Sequence, residues 1–228
     1  MGHHKLERFA ENLTFPNLFQ VSFEMLQQEG FALRGGWSRY FDNDNPITLE
    51  LGCGKGDYTI ALARLHPDRN YIGVDIKGAR LWRGAKTSNE DQMHNVAFIR
   101  TRIELIEQFF ASDEVSEIWI TFPDPQPKKE HKRLTCERFL GYYKHFLRPG
   151  SPIHLKTDSQ ELHDYTRNEV IPNGGYRIEY ATTDLYATPA ASHPETPSLA
   201  EAQMTQTFYE RMFLAQNMPI TYLKFFIN

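Results

Sequence analysis

The stretch ELGCGKG, Glu50 to Gly56, decides the fold. It follows a short apolar run at 47–52 that reads as a strand. It opens a segment with helical apolar spacing, 58–65, for which Asp57 is the predicted N-cap. Gly52, Gly54 and Gly56 allow positive φ and let a ligand approach the backbone closely. A dinucleotide enzyme wants G-x-G-x-x-G, whose amides and helix N-terminus receive a pyrophosphate. Here the spacing is G-x-G-x-G, and Glu50 sits two residues before the first glycine. A glutamate there repels a pyrophosphate and suits an ammonium group. A second strand, 70–74, is closed by Asp75, 19 residues after Gly56. A carboxylate in that place can accept hydrogen bonds from both ribose hydroxyls. Loop and acid together fit an adenosine ligand with a positively charged amino-acid tail, S-adenosylmethionine (SAM), better than NAD. The plainer reading of the same residues is a tight turn, with Asp75 capping the next helix.

Outward from the loop, strand and helix signals alternate. Helices are predicted at 78–90, 104–110, 135–146 and 160–170, and strands at 96–100, 117–122 and 151–157. Pro123 stops the strand before it. Apolar strands alternating with helices imply a parallel sheet covered on both faces. Segments 176–183 and 220–227, with no convincing crossover helix between them, suit an antiparallel pair at one sheet edge. Residues 187–203 hold Pro189, Pro194 and Pro197 and predict a long loop. Residues 1–45 end in the turn-rich Asp42-Asn43-Asp44-Asn45-Pro46 and read as an N-terminal extension before a domain at 46–228. The expected class is α/β, Rossmann-like, with a mostly parallel seven-stranded sheet and an antiparallel edge strand.

Composition narrows the function. With 40% hydrophobic and 24% charged residues, the chain is an ordinary globular one. No apolar run approaches the ~18 residues of a membrane span. The start, MGHHKLERFAENL, lacks the apolar core of a signal peptide, which predicts a cytoplasmic protein. Cys53 and Cys136 are too few and too far apart for a disulfide framework or a metal cluster, so no metal is expected. The net charge of -4 argues mildly against a whole-surface nucleic-acid binder but leaves room for a local basic patch.

Such a patch follows the fourth strand. ITFPDPQPKKEHKR, Ile120 to Arg133, leaves that strand at the edge where open α/β sheets bind ligands. Pro123, Pro125 and Pro127 stiffen the loop and set the direction of Asp124. From 128 to 148 there are seven Lys or Arg against two Glu, an excess suited to a phosphate backbone. A solvated charge run is the bland alternative, and its place beside Pro-Asp-Pro favours the first. The fifth strand ends in Lys156-Thr157-Asp158, which adds Asp158 as a second carboxylate for the crevice or as N-cap of the next helix.

Taken together, these residues resemble the bacterial tRNA (guanine-N7)-methyltransferase family of the TrmB type, from about residue 47 onward. FPDP with its basic stretch, Phe122 to Arg133, is the most specific part. ELGCGKG, Gly73-Val74-Asp75, Lys156-Thr157-Asp158 and Thr207-Phe208-Tyr209-Glu210 resemble the family's other motifs. The resemblance implies a class I fold and methylation of a variable-loop guanine in tRNA. It implies SAM contacts at Glu50, Asp75, Arg102 and Asp124, and guanine or tRNA contacts at Lys128, Asp158, Thr207, Phe208, Tyr209 and Glu210. Arg102 stands where the family usually carries Asp or Asn, and arginine only donates hydrogen bonds, so backbone atoms would have to receive the adenine amino group. Gln126 stands where the family commonly has Trp.

Guanine N7 carries a lone pair and no proton, so its methylation needs no general base for the attack. Asp124 and Asp158 are the candidates to grip the guanine N1–H and amino edge. Competing readings are a methyltransferase of another RNA, a protein or a small molecule, a dehydrogenase, and an RNA-binding protein with a vestigial SAM fold. The basic tail argues against protein and small-molecule substrates, the glycine spacing with Glu50 against NAD, and the set Glu50, Asp75 and Asp124 against a vestigial site.

Overall fold

A computed structural model describes residues 3–227. Helix α1 (His3–Asn12) leads to β1 (Leu18–Phe19), α2 (Phe23–Gln28) and α3 (Trp37–Phe41). Strands and helices then alternate as β2 (Ile47–Leu51), α4 (Asp57–Leu65), β3 (Asn70–Asp75), α5 (Gly78–Glu90), β4 (Val96–Arg100), β5 (Glu117–Thr121), α6 (Glu137–Lys144), β6 (Ile153–Thr157) and α7 (Gln160–Tyr165). Beyond a π-helical turn at Thr166–Val170 come α8 (Ile171–Gly174), β7 (Arg177–Thr182), α9 (Pro197–Met204), α10 (Phe208–Leu214) and β8 (Thr221–Phe226).

The strands form one sheet in the order β1-β4-β3-β2-β5-β6-β8-β7. Strands β1 to β6 are parallel, and β8 runs antiparallel between β6 and β7. The expected edge pair is therefore present. The sheet has eight strands rather than seven, because Leu18 and Phe19 pair with Phe98 and Ile99. Two residues are too few to show a period in sequence.

Every residue of β2, β5 and β6 is buried, as a central strand covered on both faces requires. One face is apolar: Leu49, Leu51, Ile118, Ile120, Ile153 and Leu155 join one core. The other face carries Thr48, Glu50, Trp119, Thr121, His154 and Lys156, all buried. Its polar atoms are mostly tied internally. Trp119 stacks on His154 at 4.0 Å between ring centroids, and His154 Nδ1 lies 2.8 Å from the Tyr222 hydroxyl. The N-terminal stretch is packed onto the sheet. Trp37 is fully buried and its indole N–H donates to the Phe109 carbonyl at 3.0 Å.

Four local expectations are corrected. The helix predicted at 104–110 is a 3-10 helix, Ile103–Gln108. The predicted loop at 187–203 contains most of α9, because Pro197 sits in the first turn, where a missing N–H removes no helical bond. The N-cap of α4 is Gly56, not Asp57, and that of α7 is Ser159, whose hydroxyl accepts from the Leu162 amide. From β2 the chain winds outward through β3 and β4, then returns to the other side of β2 for β5 and β6. That reversal opens a crevice beyond the carboxyl ends of β2 and β5.

Candidate active site

The glycine loop turns out of β2 with Gly52, Gly54 and Gly56 at φ 79°, 59° and 76°. Those left-handed values explain the residue type at each position. They also separate the roles. A Cβ on Gly54 would meet nothing within 4 Å, whereas one on Gly56 would lie 2.6 Å from the Phe98 ring. Gly54 faces open space, and Gly56 is buried in the packing of α4 on the sheet. Asp75, at the end of β3, accepts the Gly54 amide at 3.0 Å and the Lys77 amide at 2.7 Å. Its carboxylate thus holds the glycine loop from the neighbouring strand.

Two recesses meet over this loop. The larger has about 560 Å³ of open volume and is lined by Gly52, Asp75, Arg80, Arg102, Phe122 and Asp124, among others. That volume lies within the usual range for a small-ligand site. The narrower one, about 90 Å³, shares Gly52, Arg80 and Phe122 and is also lined by Glu50, Gly54, Thr207, Phe208 and Tyr209. Lys55 lies 5.3 Å from the centroid of the Phe208 ring, so α10 sits against the glycine loop. Bare Gly54 and Gly52, an acid at the β3 end and a buried carboxyl beside the loop fit the adenosine and amino-acid ends of SAM.

Glu50 is 4% exposed. One oxygen accepts the Thr59 amide at 2.8 Å and contacts the Thr59 hydroxyl, and the other accepts the Thr121 hydroxyl at 2.6 Å. Burial outweighs these bonds and pushes its carboxyl up to about 7.

Asp124 is exposed in the larger recess, and its Oδ1 accepts the Gln126 amide at 3.1 Å. The backbone on either side is unusual. Phe122 and Gln126 have φ of 46° and 48°, a region that costs a non-glycine residue about 1 kcal/mol or more. Asp158 is half-buried at the end of β6, beside the loop end of β5 but lining neither recess. Arg102 is 64% exposed on its side chain and lies 3.5 Å from Glu104.

The Thr207–Glu210 motif is an N-terminal capping box. The Thr207 hydroxyl accepts the Glu210 amide at 3.1 Å, and the Glu210 carboxylate accepts the Thr207 amide at 3.2 Å. Glu210 is fully buried, 2.7 Å from the Lys156 ammonium, and accepts the Tyr186 hydroxyl. Lys156 also donates to the carbonyls of Ala202 and Thr205. Burial pulls its ammonium down to about 8 against the pull of Glu210. Thr207, Phe208 and Tyr209 therefore reach the recess while Glu210 anchors them from behind. A T-x-x-E pattern is a capping signature in any sequence, which is the signal that could have revealed this.

The basic stretch divides. Lys128, Lys129, His131 and Lys132 are exposed, while Arg133 is 1% exposed. Arg138 and Lys132 line a groove of about 510 Å³ with Phe23, Arg102 and His131, next to the larger recess. Lys144 lies 4.7 Å from the Tyr176 ring, and Arg148 donates to the Asp113 carbonyl at 2.7 Å. Arg148 precedes β6, at the opposite end of the sheet. The excess counted over 128–148 is thus concentrated at the crevice in fewer side chains than the count suggested. Arg80 lines both recesses without any motif to announce it, and Lys55 and Thr121 line the narrower one from within motifs read for other residues.

A family model described as a putative methyltransferase matches residues 44–217. A tRNA (guanine-N(7)-)-methyltransferase of Christiangramia forsetii is 52% identical over 99% of this chain and 98% of that protein. One of Bacteroides fragilis is 45% identical over 100% of this chain and 87% of that protein. Among solved structures, a 16S rRNA (adenine(1408)-N(1))-methyltransferase from Catenulisporales acidiphilia superposes with a TM-score of 0.56 at 13% identity, over 85% of this chain and 92% of that one. That likeness concerns the fold, a class I methyltransferase sheet.

Proposed function

This chain belongs to the tRNA (guanine-N7)-methyltransferase family and transfers the SAM methyl group to N7 of a guanine in tRNA, and we propose that the crevice beyond β2 and β5 is where it does so. The observation that carries the assignment is the meeting of Asp75, Gly52 and Asp124 in one recess with Thr207, Phe208 and Tyr209 beside it. When bound, SAM supplies a methyl group on a positively charged sulfur.

The chain's own residues bind and orient. Asp75 accepts the ribose hydroxyls, and Glu50 meets the amino-acid tail from below the glycine loop. Asp124 takes the guanine N1–H and amino edge, which adenine does not offer, with Asp158 close by on the next strand. N7 has no proton to lose, so neither carboxylate acts as a base in the attack. Both stabilise the positive charge that grows on the base. Holding the base in line contributes several kcal/mol to the barrier reduction. Phe208 or Tyr209, each 48% exposed, stacks on the base. Lys128, Lys129 and the groove of Arg102, Lys132 and Arg138 receive phosphates. The guanine is that of the variable loop, and the reaction takes place in the cytoplasm. Among the described residues no helix is long and apolar enough to cross a membrane.

The test is incubation with labelled SAM and unmodified tRNA, then borohydride and aniline. Scission at a variable-loop guanine is expected, and label elsewhere in the tRNA refutes the position. Asp124→Ala should abolish transfer, and full activity would remove Asp124 from the site.

A further inference from the structure

Arg133 closes the basic stretch, yet its side chain is only 2% exposed. Its Nε donates to the Pro125 carbonyl at 3.0 Å. Its Nη2 pairs with Glu161 on α7, its Nη1 lies 3.6 Å from Glu130, and its guanidinium carbon lies 4.3 Å from the centroid of the Tyr165 ring. A guanidinium enclosed on these sides has no face left for a phosphate. The carbonyl that the guanidinium grips belongs to Pro125, which directly follows Asp124.

The loop it grips needs holding. Phe122 and Gln126, the two left-handed residues, bracket Asp124. Such backbone persists only where its surroundings over-determine it. On the Phe122 side, the amide donates to the Lys156 carbonyl at 2.8 Å and the ring packs on Phe213. On the Gln126 side, the ties are the Lys129 amide to the Gln126 carbonyl at 3.0 Å, Asp124 itself and Arg133. Arg133 links that side to α7, a different element of the sheet layer.

We propose that Arg133 is a positioning residue that fixes the direction of Asp124 in the crevice, and that it makes no contact with tRNA phosphate. The proposal rests on the reading of Asp124 as the group that meets the guanine. Lysine in place of arginine keeps the charge but loses the planar fork and the stacking on Tyr165. A displacement of the loop by about 1 Å is enough for a loss on the order of 100-fold.

Arg133→Lys is the decisive variant, assayed with tRNA at several salt concentrations, with SAM titrated by calorimetry and with amide exchange followed at Gln126. The expected result is a kcat lowered at least tenfold, a KM for tRNA and a Kd for SAM within twofold, an unchanged salt slope, and faster exchange at Gln126. A kcat within twofold of the parent overturns the proposal. So does a raised KM with a flattened salt slope at unchanged kcat, the signature of a phosphate contact. Glu161→Gln and Tyr165→Leu loosen the guanidinium from outside the loop and should lower kcat in the same direction, which keeps the test open if Arg133→Lys does not fold. Asp124→Ala is measured alongside. If it keeps full activity, the reading of Asp124 fails and the functional half of this proposal with it, whereas slow exchange at Gln126 in Arg133→Lys refutes the positioning half alone.

Discussion

SAM binding should strengthen as pH rises from 5.5 to 7, because Glu50 must lose a proton to receive an ammonium group. Burial holds its carboxyl near 7 in the folded chain, against an ordinary 4.5. A raised carboxyl favours its protonated form in the fold. Its contribution to stability is complete below about 4.5 and is lost as pH rises through about 7. The shift amounts to about 3 kcal/mol for this fully buried group. A cationic ligand reverses the preference by binding the ionised form. With a carboxyl titrating near 7, roughly 3% is ionised at pH 5.5 and about half at pH 7, so affinity should rise about fifteenfold. The window stops short of about 7.7, where α-amino groups begin to titrate. Calorimetry in two buffers of different ionisation enthalpy should show close to one proton released per SAM at pH 5.5. Glu50→Gln should bind weakly and without this pH dependence. An affinity that changes less than twofold across the window, or the same profile in Glu50→Gln, refutes the reasoning.

Other consequences can be measured directly. Gly56→Ala combines a left-handed cost of about 1 kcal/mol with about 1–3 kcal/mol of overpacking against Phe98, so its Tm should fall by roughly 5–15 °C. Gly54→Ala meets open space and should lose only about 2–4 °C by thermal melting. Lys156→Met leaves Glu210 buried without its ion partner and should cost about 3–5 kcal/mol in urea unfolding, with Lys156→Met/Glu210→Gln costing less than the single change. Lys128→Ala with Lys129→Ala should lower the slope of log affinity for tRNA against log salt by about 1–2 and leave SAM binding intact.

The glycine loop and Asp75 were legible because local backbone geometry and strand ends dictate them. Positive φ demands Gly52, Gly54 and Gly56, and Asp75 holds the loop with a single side chain. The pairing of Asp124 with the crevice was legible for the same reason, since it follows from the strand end and the prolines. What escaped depends on contacts distant in sequence. Strand β1 exists only because Leu18 and Phe19 lie against β4. Helix α9 hid behind three prolines because position within the first turn, not residue type, decides whether proline is tolerated. Arg133 looked like one more surface cation, and its burial depends on Glu161 and Tyr165 more than 25 residues away. Glu210 belonged to a recognised motif, but its ion partner Lys156 lies on β6, far from α10 in sequence.

The place of β8 between β6 and β7 bears on the order in which the chain can fold as it is synthesised. Strand β7 emerges well before its hydrogen-bonded neighbour β8, with α9 and α10 translated in between. Until β8 arrives, β6 is a temporary edge and β7 has no place in the sheet. The buried clamp of Lys156 on Glu210 also waits, because both α10 and the strand after it must be out of the ribosome before the α9–α10 segment is fixed between them. The half of the sheet that holds the glycine loop can form first, as domains fold from the N-terminus during translation. A nascent chain would then bear a formed cofactor pocket before the wall that carries Thr207 to Tyr209 has closed beside it.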